Sequence, residues 1–124
     1  MVDGLKNVIF DEEPPEFESF TIDGTSGEIY EEEEVRAKNV KIVVSDDNLE
    51  SVFTEEKTYS RDNGEVTAVG SKYKATVELD AVLGSPQEIA IGALDMSGNE
   101  SGFYFILKYP LITPTASVSV TSPL

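Results

Sequence analysis

The feature that most restricts what this chain can fold into is a two-residue period. In Lys72–Leu79, Tyr73, Ala75, Val77 and Leu79 fall on one side, and Lys72, Lys74, Thr76 and Glu78 on the other. Strands send successive side chains to opposite faces, and one apolar face with one polar face marks an antiparallel sheet covered on one side. Val40–Val44 repeats the pattern, with Val40, Ile42 and Val44 inward and Lys41 outward. So does Glu88–Leu94 through Ile89, Ile91 and Ala93, and Phe103–Tyr109 through Phe103, Phe105, Leu107 and Tyr109. Weaker strands are expected at Glu16–Ile22, Leu49–Thr54 and Glu65–Val69. Asp23-Gly24, Asp46-Asp47-Asn48, Asp62-Asn63-Gly64, Gly70-Ser71, Gly84-Ser85-Pro86 and Ser97-Gly98-Asn99 punctuate these runs as turns. No segment carries a convincing apolar stripe of helical period; Glu28–Asn39 comes nearest, with too few apolar residues. The expected class is all-β, an antiparallel β-sandwich of about seven strands.

A chain of 124 residues is long enough for one buried core and too short for two full domains. With no Cys and no His, it holds no disulfide, no Cys/His zinc or haem site and no Ser-His-Asp or Cys-His nucleophile. The net charge of -15 argues against binding a phosphate backbone or an anionic membrane surface. No apolar run is long enough for a transmembrane helix, and Met1–Phe10 lacks the features of a signal peptide. The charge is uneven. Residues 1–34 carry 12 acids and one base, Lys6, whereas residues 35–124 carry 12 acids and 8 bases. Residues 110–124 are uncharged and hold three of the six prolines. The chain therefore divides into an acidic lead-in at 1–13, a sandwich at 14–109 and a Pro/Thr/Ser segment at 110–124. That last segment is either a linker or, through Thr115–Val120, the opening strand of a following repeat.

Candidate site residues follow from chemistry. Calcium takes oxygen ligands, mainly carboxylates and carbonyls. Asp46 and Asp47 at one strand junction, and Asp95 and Asn99 at another, form the candidate calcium set; no EF-hand spacing accompanies them. The alternative is that these are unliganded turns, with Asp95 bonding backbone amides across Ser97-Gly98-Asn99. Glu31–Glu34 reads as a solvated loop or strand edge, where four adjacent carboxylates could attract a cation. Sugar binding uses exposed aromatic platforms, and without Trp the candidates are Tyr30, Tyr59 and Tyr104, each weighed against ordinary packing. No motif predicts a pocket holding two carboxylates with separated pKa values, so no enzyme is expected. Lys41 faces outward, which speaks against an internal Lys–Asn crosslink.

The order of these pieces resembles a known family. Pro14-Pro15 precedes a first strand, Val40–Val44 runs into Ser45-Asp46-Asp47-Asn48, and Ala93-x-Asp95-x-Ser97-Gly98-Asn99 stands before an aromatic last strand. This is similar to the bacterial immunoglobulin-like domains, close to fibronectin type III modules, that occur in tandem on surface and secreted proteins. The resemblance implies an immunoglobulin-like fold and an extracellular or bacterial cell-surface location. It also implies a non-catalytic spacer, stalk or accessory role, monomeric as an isolated domain, whose partners are neighbouring domains of the same chain. The alternative is a ligand-binding, adhesive module for carbohydrate or a host or cell-surface protein. No cofactor is expected beyond the candidate Ca²⁺.

Overall fold

The computed structural model describes residues 13–110, and all of its regular structure is β. The strands are β1 (Glu16–Ile22), β2 (Thr25–Gly27), β3 (Glu34–Arg36), β4 (Asn39–Asp46), β5 (Leu49–Phe53), β6 (Thr58–Ser60), β7 (Thr67–Val69), β8 (Lys72–Asp80), β9 (Gln87–Asp95) and β10 (Glu100–Lys108). They form two five-stranded sheets, one ordered β2-β1-β4-β8-β7 and the other β3-β10-β9-β5-β6. The lead-in before residue 13 and the tail after residue 110, including the expected strand at Thr115–Val120, lie outside the described residues.

The alternating residues meet as expected. Val40, Ile42 and Val44 of β4 and Ala75 and Val77 of β8 share one core with Ile91 and Ala93 of β9 and Phe105 and Leu107 of β10. Each of these side chains contributes about 1–3 kcal/mol by leaving water, the alanines least. Lys41, Thr76 and Glu78 stay outside.

Two strands break the simple period, and both do so with a bulge. On β1, Phe17, Phe20 and Ile22 pair with Val44, Ile42 and Val40, although Phe17 and Phe20 are three residues apart. A register shift between Phe17 and Ser19 absorbs the odd residue, Glu18. Without it, either Phe17 or Phe20 would face solvent. With it, the rings of Phe17 and Phe20 each lie 5.4 Å from that of Phe103, which lies 6.0 Å from Phe105. On β5, Leu49 and Val52 are likewise three apart and both fully buried. There the pairing with β9 jumps from Leu94–Ser51 to Asp95–Leu49, leaving Glu50 as the extra residue.

The sheets are not wholly antiparallel. β3 pairs in parallel with β10, Glu34 with Ile106 through Arg36 with Lys108. β2, β3 and β6 add to the expected seven strands, each only three residues long and too short to display a period. The chain enters and leaves at opposite ends. Glu16 sits opposite Ser45, near the end of β4, whereas Lys108 accepts a hydrogen bond from Ala37, two residues before β4 begins. The eight residues of β4 span about 24 Å.

Gly92 is required by a close approach. A Cβ built there would lie 2.5 Å from the ring of Phe53, its partner on β5. The ring covers backbone that a side chain at residue 92 would otherwise hide. Gly92→Ala is expected to lower stability by about 1–3 kcal/mol. Adding Phe53→Ala should recover part of that loss, giving a coupling of about 1 kcal/mol in a denaturant double-mutant cycle.

Candidate functional site

The two aspartate turns that stand far apart in sequence are neighbours at the entry end. Asp95 pairs with Leu49 across the ladder, and the Met96 amide donates to the Asn48 carbonyl at 2.9 Å. Asp95 is 1% exposed. Its Oδ1 accepts hydrogen bonds from the amides of Ser97 at 2.9 Å and Asn99 at 2.8 Å, and its Oδ2 accepts from Asn99 Nδ2 at 3.0 Å. Gly98, at φ +92°, supplies the left-handed residue that closes the loop under this carboxylate. Asp46 is also buried, and its Oδ2 accepts from the Asn48 amide at 2.8 Å. Asp47 is exposed and pairs with Lys72 at 3.2 Å, which holds the lysine pKa above its usual value.

The proximity therefore serves two turns. The carboxylate oxygens of Asp95 meet amide donors, and the bonds are charge-assisted. Among the described residues, no group of three or more acidic side chains is placed to hold a metal ion.

The tyrosines separate. Tyr30 is 65% exposed, and Tyr104 is half-buried on β10. They lie in one region because the 28–33 loop packs along β10. The Glu32 amide donates to the Tyr104 carbonyl at 2.7 Å, and Glu31 Oε2 accepts from the Tyr104 amide at 3.1 Å. The Tyr30 hydroxyl donates to Glu28 at 2.7 Å, and that bond with the nearby negative charge raises its pKa. Burial, then Glu88 and Glu32, raise that of Tyr104. Tyr59 corrects the expectation of exposure. It is only 9% exposed, because it sits opposite Val52, and the residue facing a fully buried partner points the same way. Lys57 covers its ring, with Nζ 4.7 Å from the centroid.

The acidic stretch is more structural than its charge suggests. Ile29, Val35 and Ala37 are buried and anchor it to the core. Glu33 accepts from the Tyr30 amide at 2.7 Å, Glu34 pairs with Lys108 at 3.1 Å, and Asp23 accepts from the amides of Lys38 and Asn39. Of Glu31–Glu34, the first two form a turn and Glu34 opens the edge strand β3, so the expected loop and strand edge are both present. The three buried residues were legible only as isolated apolar letters in a charged stretch.

Comparison with protein-family models, with curated proteins and with solved structures finds no match.

Asp95→Ala strips the partner from two backbone amides and a side-chain amide, and is expected to cost about 2–4 kcal/mol in urea unfolding. Asp95→Asn, which keeps one acceptor oxygen, should cost about half as much. With both oxygens of Asp95 held by amide donors, melting in millimolar Ca²⁺ should coincide with melting in EDTA. A rise of several degrees in Ca²⁺ would instead place a cation at these turns.

Proposed function

We propose that the chain is a non-catalytic structural or accessory module, an immunoglobulin-like spacer that positions its neighbours in a larger extracellular bacterial protein. The observation that carries this reading is the placement of chain entry and exit at opposite ends of β4. A domain threaded end to end extends a chain of domains; one whose termini meet hangs from it as a side branch.

Strand order supports the immunoglobulin-like part of the reading. With β1, β4, β5, β7, β8, β9 and β10 lettered A to G, one sheet contains A-B-E-D and the other G-F-C. Those are the orders of an immunoglobulin sandwich. The Ala93-to-Asn99 element adds support, since its aspartate ties the F–G turn. The non-catalytic part rests on the absence of Cys and His and on the use of many of the acids as turn acceptors or ion-pair partners. The extracellular bacterial setting rests on the resemblance alone.

Two copies joined through residues 110–124 test the spacer role. Small-angle scattering should show a maximum dimension that grows by at least about 30 Å per added copy, the length of a nine-residue strand before the joining segment is counted. A pair folded back on itself would overturn the reading. Ligand binding is the second reading, favoured by the exposed ring of Tyr30 on a loop that bonds to the Tyr104 backbone through Glu31 and Glu32. It requires glycan-array binding that disappears in Tyr30→Ala or Tyr104→Ala.

A further inference from the structure

The strands of the two sheets are uneven in length, and the mismatch leaves two backbone edges uncovered on one side. β9 pairs with β5 only over Gly92–Asp95, because β5 ends at Phe53. Its first five residues, Gln87–Ile91, pair with β10 alone. In the other sheet, β7 covers only Lys72–Lys74 of β8, and Ala75–Asp80 pair with β4 alone. Among the described residues, no other backbone hydrogen bond reaches either segment. A cleft of about 550 Å³ lies between these edges. Leu79, Val82 and Ile89 give it apolar surface, and Glu55, Glu56, Glu78, Asp80 and Glu88 surround that surface.

These five carboxylates take part in no ion pair among the described residues. The lysine pairs lie elsewhere, on Glu65, Asp47, Glu18 and Glu34. Lys57, which follows Glu55 and Glu56 directly, is turned to Glu65 at 2.8 Å. Glu78 and Asp80 share one neutral donor, Asn39 Nδ2. An open strand edge recruits another strand, and the charge beside it selects which. A second copy of this chain, itself at -15, is repelled. A basic strand is attracted.

We propose that the β9 edge at Gln87–Ile91 binds an extended segment of a partner protein in which Lys or Arg alternates with apolar residues. Such a segment continues the line of β5 beyond Phe53. Its apolar side chains rest on Ile89 and Leu79, its cations face Glu55, Glu56 and Glu88, and its backbone takes up the unpaired groups of β9. The cleft does not depend on the spacer reading, since it needs neither a neighbouring domain nor a second copy.

The test is titration of the ¹⁵N-labelled full chain with the peptide Ac-KVKVKVK-NH₂, against Ac-KSKSKSK-NH₂ and Ac-EVEVEVE-NH₂. The expected result is that the lysine–valine peptide shifts the amides of Gln87–Ile91 most and slows their hydrogen exchange. The lysine–serine peptide should bind at least about fivefold more weakly, and the glutamate peptide should not bind. The triple variant Glu55→Gln, Glu56→Gln, Glu88→Gln should weaken binding by at least about fivefold. Glu31→Gln with Glu32→Gln should change it by less than about twofold. The substituted cleft acids make no ion pair, so an unchanged spectrum away from the cleft verifies folding. The proposal is overturned by shifts centred on Glu31–Glu34 or spread over all acidic surfaces. It is equally overturned by equal binding of the lysine–serine peptide, or by no shift at Gln87–Ile91 at millimolar peptide.

Discussion

Both sheets must present their apolar sides to the same core, and that requirement governs every strand around it. A slip of one residue would turn Val40, Ile42 and Val44 outward together, so the β4–β8 ladder excludes a one-residue shift of register. The constraint explains the two bulges. β1 carries Phe17 and Phe20 at a spacing that fits no flat strand, and β5 does the same with Leu49 and Val52. In each case the residue absorbed is a glutamate, Glu18 or Glu50, which tolerates being pushed out to solvent. Glu18 then reaches Lys74 at 2.9 Å, and that bond lowers its pKa. The bulge that repairs the core thus also creates an ion pair across the outer face.

The negative charge has a similar double character. Twenty-four acids in so small a chain would be expected to repel one another. Instead Asp23, Asp46 and Asp95 accept backbone amides at turns, where a carboxylate replaces the hydrogen bonds the sheet cannot supply. The pairs Lys57–Glu65, Lys72–Asp47, Lys74–Glu18 and Lys108–Glu34 dispose of four more acids, each at a surface site where a pair contributes about 0–1 kcal/mol. The turns are therefore the costly places to remove an acid, and the exposed pairs are the cheap ones.

How far the fold could be read from the chain depended on strand length. β4, β8, β9 and β10 run eight or nine residues, enough turns of the period to show, and their inward sets were legible. The three-residue strands β2, β3 and β6 were not, because three residues fit any period. β3 was further hidden among glutamates, and its parallel pairing with β10 is set by Ile29 and Val35 sinking into the core, a long-range event. Of the site residues, the role of Asp95 was visible, since an aspartate before Ser-Gly-Asn has few other acceptable partners. The neighbourhood of the Asp46 and Asp95 turns was not, because it depends on which strands adjoin. Tyr59 looked exposed for want of a recognisable strand around it, and only its pairing with Val52 reveals its direction.

The same unevenness in strand length bears on what the surface can do. A sandwich whose neighbouring strands matched in length would close its flanks; here β5 and β7 stop short, and β8 and β9 keep bare backbone. Bare edges are dangerous in a chain that meets copies of itself, and positive or negative charge placed beside them lowers that danger. The charged side chains around this cleft are all acids, in a molecule of net charge -15, so like molecules are kept apart by the same groups that would favour a basic strand. On the proposed reading, resistance to self-association and selectivity come from one set of side chains. Neutralising Glu55, Glu56 and Glu88 removes both at once: a variant that loses the proposed basic strand in this way should also gain a tendency to associate with itself.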